Sequence, residues 1–511
     1  MIKVTNNISY AQKNTGSPPL MLHQTEMFSP SETPMSSAQV INPTGYKGLH
    51  AFHKYWGKKP LEPLSFLIEH LSPEGGTVVD PFLGGGLLTR LCRELNRKFV
   101  GIDINPVATE LGRLFVDLPP LADYKSAIEA LEVNVRPKID ASYIRSDGSI
   151  GSHYLWQGQK LESVWTTGTG RSRVECPVEE HDLEQIRGYS GYAPKKLREI
   201  TAFSNSRINA TPELALSDIF KRRALANLDL LLEGILSFKE PSLRRALLLT
   251  LTAASGQMSN FVFAINKRGK NTDTVEADAK TEVGSWAIGL WCPERHFEVN
   301  VWNCFRNRAR KLEKALGSTI TRVKSKVVDS AKPFFFGKAD CAIINAPYQS
   351  ALSDAPPNSV DLILTDPPHS DRIPYLELSE FWNSLLQYGA TDFENEVVIS
   401  NASERKKKPA AYSKDMVEFM KTSSRLLKPT GFLCILFNCR ENGDWDFLRN
   451  PAGLKFIGRF DLKYSAGSIV QDNRKGALKT DFALIYSPSQ HSTPPSALET
   501  LPGWSKDFPQ S

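Results

Sequence analysis

Residues 77–103 read TVVDPFLGGGLLTRLCRELNRKFVGID, and their texture decides the fold. Thr77-Val78-Val79-Asp80 is a short apolar run ending in an acid, the pattern of a buried strand. A glycine turn follows at 81–86, and residues 87–96 then place apolar side chains at 87, 88, 91 and 95, a helical spacing. Residues 99–103 form a second strand that again ends in an acid. One β-α-β unit of this kind predicts an α/β protein built on a doubly wound sheet. Further strand-like runs at Val360–Thr365, 431–437 and 481–486, with a helix at about 414–427, extend that sheet.

Between about 125 and 325 the alternation stops. Residues 154–165 have hairpin character, helical spacings follow at 224–236 and 243–254, and 265–282 is polar and loop-like. An interruption of this length is far beyond ordinary α/β connections, so an inserted domain is expected. The division is a mobile N-terminal tail at 1–45, a catalytic domain from 46–125 and 327–490, a largely helical insertion at 126–326, and a C-terminal tail at 491–511. The insertion is basic: residues 187–326 carry 24 Lys and Arg against 13 Asp and Glu, a net +11, which leaves −5 for the rest of a chain whose total is +6. A basic module set into a slightly acidic frame points to a polyanion partner.

Composition excludes several classes. Of 511 residues, 41 % are hydrophobic and 23 % charged, so wholesale disorder is out. No run approaches the roughly 18 apolar residues of a membrane span, and 1–45 has no apolar core for a secretory signal, so a cytoplasmic protein is expected. Seven cysteines with no CxxC pair support neither a disulfide framework nor a zinc ribbon, and no metal is expected.

The chemistry lies at strand ends. Glycines at 84–86 let the backbone approach a ligand, but no Lys-Ser/Thr follows them and Asp80 precedes them. That arrangement repels phosphate and attracts an ammonium group. Asp103 ends the next strand, where an acid can take both hydroxyls of a ribose. Asp366-Pro367-Pro368-His369 ends the strand at Val360–Thr365, and its two prolines make a rigid rim holding a carboxylate and carbonyls at the ligand-binding edge. Such acceptors suit an exocyclic amino group, and a flat ring at 369 can stack on a base. A rival turn, Asn345-Ala346-Pro347-Tyr348, lacks the first proline, and 366 is preferred to it.

These residues resemble the amino-methyltransferases of DNA, which modify adenine at N6 or cytosine at N4. DPFLGGG is similar to that family's cofactor loop, with Gly85 in place of serine; GIDINP at 101–106 resembles its ribose-binding strand end; TDPPH resembles its Asp-Pro-Pro-Tyr catalytic motif. HKYWGKKP at 53–60 resembles the segment that packs on S-adenosylmethionine. Less specific similarity at 300–308, 375–379, 426–438 and 471–481 extends the likeness over most of 46–487 and matches members with a long insertion between cofactor loop and Asp-Pro-Pro. Some relatives carry a zinc ribbon near 154–179, where this chain has Cys176 alone.

The resemblance implies a Rossmann-like S-adenosylmethionine-dependent sheet and direct methyl transfer to an amino group of double-stranded DNA, adenine favoured by the Asp before Pro-Pro. It implies catalytic roles for Asp366, Pro367, Pro368 and His369, the last by stacking. Cofactor contacts would fall to Tyr55, Trp56, Asp80, Pro81, Phe82, Gly84, Gly86, Asp103 and Asn105. The basic insertion nominates Arg222, Arg223, Lys267, Arg268 and Lys270 as DNA contacts, with 405–408 a weaker candidate, and restriction or defence proteins as associated partners. An RNA or protein methyltransferase working at 345–348, and a non-catalytic DNA-binding protein on the same fold, remain the competing readings. The carbon-5 cytosine enzymes are excluded, because they need a Pro-Cys nucleophile and the chain has no Pro-Cys dipeptide.

Overall fold

The computed structural model describes residues 40, 45–168, 172–266, 281–286, 289–319, 323, 325–370, 373–438, 446–463, 480–489 and 493–509. The chain enters with helix α1 (Leu61–Leu71), then β1 (Thr77–Asp80), α2 (Leu87–Glu94), β2 (Lys98–Asp103) and α3 (Pro106–Val116). It leaves through α4 (Leu121–Asn134), β3 (Gly151–Gln157), β4 (Lys160–Thr167), β5 (Arg173–Cys176), α5 (Arg222–Leu236), α6 (Pro241–Met258), β6 (Val262–Asn266), β7 (Thr281–Trp286), β8 (Arg295–Val299) and α7 (Val301–Ser318). It returns as β9 (Val327–Val328), β10 (Cys341–Asn345), β11 (Val360–Thr365), α8 (Tyr375–Leu385), α9 (Pro409–Leu426), β12 (Leu427–Phe437), β13 (Lys455–Lys463) and β14 (Thr480–Ser487). Shorter helical turns lie between them.

Eight strands form one mixed sheet in the order β13-β14-β12-β11-β1-β2-β10-β9. The pairs from β12 through β9 are parallel, while β14 runs antiparallel between β12 and β13. Strand β1 is apolar at its centre because helices cover both faces of a parallel sheet, and Val78 and Val79 are wholly buried. Its two neighbours are β2, the next strand in sequence, and β11, reached only after the insertion. The order therefore reverses beside β1, and in open α/β sheets the crevice for ligands opens at the carboxyl ends of the strands flanking that point.

The insertion holds a second, antiparallel sheet in the order β5-β4-β3-β8-β6-β7. The expected helices are present as α5 and α6 and the expected hairpin as β3–β4, so a largely helical insertion was an incomplete expectation. Strands β6 to β8 are only five or six residues long, with too little local pattern to separate them from loop. The polar stretch read at 265–282 is flanked by β6 and β7, and 267–280 lies outside the described residues, as does most of the N-terminal tail. The C-terminal tail packs on β13: Arg459 and Ser505 exchange backbone hydrogen bonds at 2.8 and 2.9 Å, and Phe508 lies against Phe456. Among the described residues no helix is long and apolar enough to cross a membrane.

Arg223 corrects the charge reading. Its guanidinium meets Glu298 of β8 at 2.9 and 3.0 Å, donates to the Ser142 carbonyl, and lies over the rings of Tyr143 and Tyr154. Both charged side chains are 1 % exposed, so Arg223 has no surface to offer a phosphate. It pins helix α5 to the second sheet instead. Arg223→Ala strands a buried carboxylate and is expected to cost about 3–5 kcal/mol of stability in denaturant unfolding. A loss below about 1 kcal/mol would contradict this structural role.

Candidate functional site

At the carboxyl end of β1 the chain turns through the glycine loop into α2. Gly84 and Gly86 both adopt left-handed backbone, with φ of +53° and +72°. A Cβ on Gly86 would sit 2.9 Å from the Gly112 nitrogen, so that glycine serves the packing of α2 on α3 rather than the cleft. Asp80 accepts from Phe82 N at 3.1 Å and from Thr365 Oγ1 at 2.6 Å, both on Oδ1. Its Oδ2 receives no bond from a described residue. Asp103 accepts from Gly84 N on Oδ2 at 2.7 Å and from Asn105 N on Oδ1 at 2.8 Å. Two strand-end acids are thus oriented by backbone and hydroxyl donors, and burial pushes Asp80 up to about 7 and Asp103 to about 6.

The 53–60 segment closes the cleft from the other side. His53 and Trp56 pack on Trp382 of α8 with ring centroids 5.0 and 4.7 Å apart, which anchors the segment to the core. Tyr55 stacks on Tyr375 at 6.2 Å, and its hydroxyl accepts from the Asn105 amide. Asn105 is 1 % exposed and also bonds Ser379 and Asn383, so it braces Tyr55 as much as it faces the cleft. Gly57, at φ +70°, then turns the chain so that the next two lysines diverge.

Lys59 reaches the Asp-Pro-Pro turn. Its ammonium lies 2.6 Å from Asp366 Oδ2 and 3.0 Å from Asp481 Oδ2, and these carboxylates raise its pKa against the opposing effect of burial. On the other side His369 Nε2 lies 3.0 Å from Asp366 Oδ1 and 3.1 Å from the Leu436 carbonyl. Two acceptors on one ring nitrogen require that nitrogen to carry the proton. The Pro368 carbonyl accepts from Tyr412 Oη at 2.6 Å and from Ser370 N, whereas no described donor reaches the Pro367 carbonyl. Asp366 is therefore held at both oxygens.

One cleft joins these groups, lined among others by Tyr55, Trp56, Lys58, Lys59, Asp80, Pro81, Phe82, Gly84, Asp103, Asn105, Asp366 and Pro368. Pro367 and His369 do not line it; His369 is 8 % exposed and its ring packs on Phe437. The stacking expected of His369 is therefore not the contact it makes here. Lys58, Lys59, Thr365, Tyr375 and Asp481 lie in stretches that carry the resemblance but had no site role of their own in the sequence; adjacent lysines behind a glycine in an otherwise apolar segment were the available signal.

The rival turn belongs to the same cleft but on the Asp103 side. Ala346, Pro347 and Tyr348 line it, and Ala346 N and Asn345 Nδ2 both donate to the Asp103 carbonyl. Among the DNA candidates, Arg222 is exposed, while Lys267, Arg268 and Lys270 lie outside the described residues. In the weaker 405–408 run, Arg405 is buried between Glu377 and Glu396, which removes it as a phosphate contact; Lys406 and Lys408 are exposed.

The raised Asp80 has a consequence for stability. A carboxyl whose folded value exceeds its unfolded one stabilises fully below the unfolded value and loses that contribution as pH rises through about 7. Asp80→Asn keeps an amide oxygen for Thr365 and Phe82 and removes the charge. In ligand-free protein it is expected to raise the thermal midpoint by a few degrees near pH 8 and hardly near pH 4. An unchanged or lower midpoint at the higher pH would refute it.

Comparison with known proteins agrees with this geometry. The DNA methylase family model matches residues 5–113. The type II methyltransferase M.HpaI of Haemophilus parainfluenzae is 33 % identical over 87 residues, 16 % of this chain, and the chain spans 28 % of that relative's length. The stretch matched by the family model, residues 5–113, contains Asp80, the glycine loop and Asp103, so that part of the chain is similar to DNA methylases; the match does not extend to Asp366.

Proposed function

We propose that the protein transfers a methyl group from S-adenosylmethionine to an exocyclic amino group of a base in double-stranded DNA, adenine N6 in preference to cytosine N4. One observation carries the reading: the Asp80–Asp103 floor and the Asp-Pro-Pro turn open into one cleft and are joined by the Thr365–Asp80 hydrogen bond. The residues present fit the cofactor. Asp80 Oδ2 suits its ammonium, Asp103 suits its ribose hydroxyls, and Tyr55, Phe82 and Tyr348 give apolar walls. S-adenosylmethionine, when bound, supplies a methyl group on a positively charged sulfur.

The chain's own part is positioning. Asp366 accepts one amino hydrogen of a base taken out of the stack, and the Pro367 carbonyl, which no described donor reaches, is the acceptor that the resemblance assigns to the other; together they turn the nitrogen lone pair toward the cofactor side of the cleft. Lys59 and His369 hold the two oxygens of Asp366 and so fix the carboxylate's rotation. Asp366 would take the surplus proton from the amino nitrogen and pass it to water, as the cofactor supplies the methyl group and keeps its sulfur as a neutral thioether. No covalent enzyme–base bond is required. The Asp that precedes Pro-Pro supports adenine by resemblance, and the net charge of 187–326 supports a DNA partner with Arg222 as a phosphate contact.

In single-turnover assays on DNA, Asp366→Ala is expected to lower methyl transfer by at least about 10²–10³-fold while S-adenosylmethionine affinity, read by calorimetry, changes little. Loss of cofactor affinity with the rate constant preserved would overturn the assignment of Asp366. Position 369 separates holding from stacking. His369→Gln, whose amide nitrogen reaches the same two acceptors, should keep most of the rate; His369→Phe, which keeps a ring without a donor, should lose about tenfold or more in kcat at unchanged cofactor affinity. The reverse ranking would restore stacking as its role.

A further inference from the structure

Beside the glycine loop the cleft holds a cation that no carboxylate pairs with among the described residues. Lys58 runs its methylenes across the glycine loop, where a Cβ on Gly85 would sit 3.0 Å from Lys58 Cε and 3.1 Å from Cγ. Glycine at 85, where the resembled loop has serine, is what gives this side chain room. The Lys58 ammonium donates to the carbonyls of His50 and His53 at 3.0 and 2.7 Å, and no carboxylate pairs with it among the described residues. Burial alone pushes it down to about 7, in contrast to Lys59 with its two carboxylates. Beside it, helix α2 starts at Gly86 with no side-chain cap and no acid in its first turn, so its leading amides add positive potential to the same corner. Across the loop stands Asp80, with one oxygen unbonded. The two poles are a cation and an anion placed on either side of one glycine turn.

We propose that Lys58 binds the α-carboxylate of the amino-acid portion of S-adenosylmethionine, opposite the α-ammonium held by Asp80. The assignment rests on the methyltransferase reading and adds the residue that recognises the cofactor's negative end. A zwitterion fits this corner because it neutralises both buried charges at once. A ligand with only the ammonium would leave Lys58 uncompensated.

The test is calorimetry on the full chain with three probes: S-adenosylmethionine, its decarboxylated analogue, and methylthioadenosine, which lacks the amino-acid portion. Lys58→Met should weaken S-adenosylmethionine by about 10- to 100-fold, the range for a hydrogen bond to a charged group, and leave the two carboxylate-free probes within about twofold. Lys58→Gln, which keeps the stem and a neutral donor, should fall between and serves if the Met variant does not fold. Equal losses for all three probes, or no loss for any, would overturn the assignment while leaving the methyltransferase reading standing. Wild-type protein that binds none of the three would overturn both.

Discussion

Thr365 donates its hydroxyl to Asp80 Oδ1 at 2.6 Å, and this bond makes one site out of two motifs 285 residues apart in sequence. It is available because β1 and β11 are parallel neighbours with Val79 opposite Ile363, so both strands end at the same edge of the sheet. Everything else in the cleft is placed relative to that edge. Asp103 comes from the strand on the far side of β1, and Asp366 begins the turn one residue beyond Thr365. The insertion is tolerated because it leaves after α3 and returns before β10, outside the strands that meet at the reversal. It is still fastened to helix α8 by polar contacts, among them Asn205 on Glu377 and Arg198 on Glu380.

The cleft is electrostatically divided. Two acids at its floor are raised by burial, and two adjacent lysines diverge at Gly57, one toward Asp366 and Asp481, the other toward the glycine loop. Buried charge of this kind opposes folding in the ligand-free protein and favours whatever ligand completes it. The cost is local, since Asp80, Asp103, Lys58 and Asp366 all face the same space. A site that is poor for stability and rich in directed charge is the usual signature of function.

Much of this was legible before any coordinates. Strands β1, β2, β11, β12 and β14 are buried on both faces or end in an acid or proline, so their local pattern is strong. Asp80, Asp103 and Asp366 were legible because turn chemistry and strand ends specify them. What stayed hidden depends on distant pairing. Arg223 counts as a positive charge in sequence and is cancelled by Glu298 on another strand; Arg405 is cancelled in the same way by Glu377 and Glu396. His369 looks like a ring for stacking until Leu436 and Asp366 are seen to claim its nitrogen. Strands β6, β7 and β8 are short and antiparallel, and their register comes from neighbours rather than from their own residues.

The central claim is that this cleft methylates an amino group on DNA. The most direct measurement is base-resolution mapping of modified bases in the genome of a host expressing the full chain. The account predicts N6-methyladenine at one recurrent sequence, present with the natural chain and absent from cells that do not express it. An unmodified genome in cells that accumulate the folded protein, or methylation confined to RNA or protein, would contradict it.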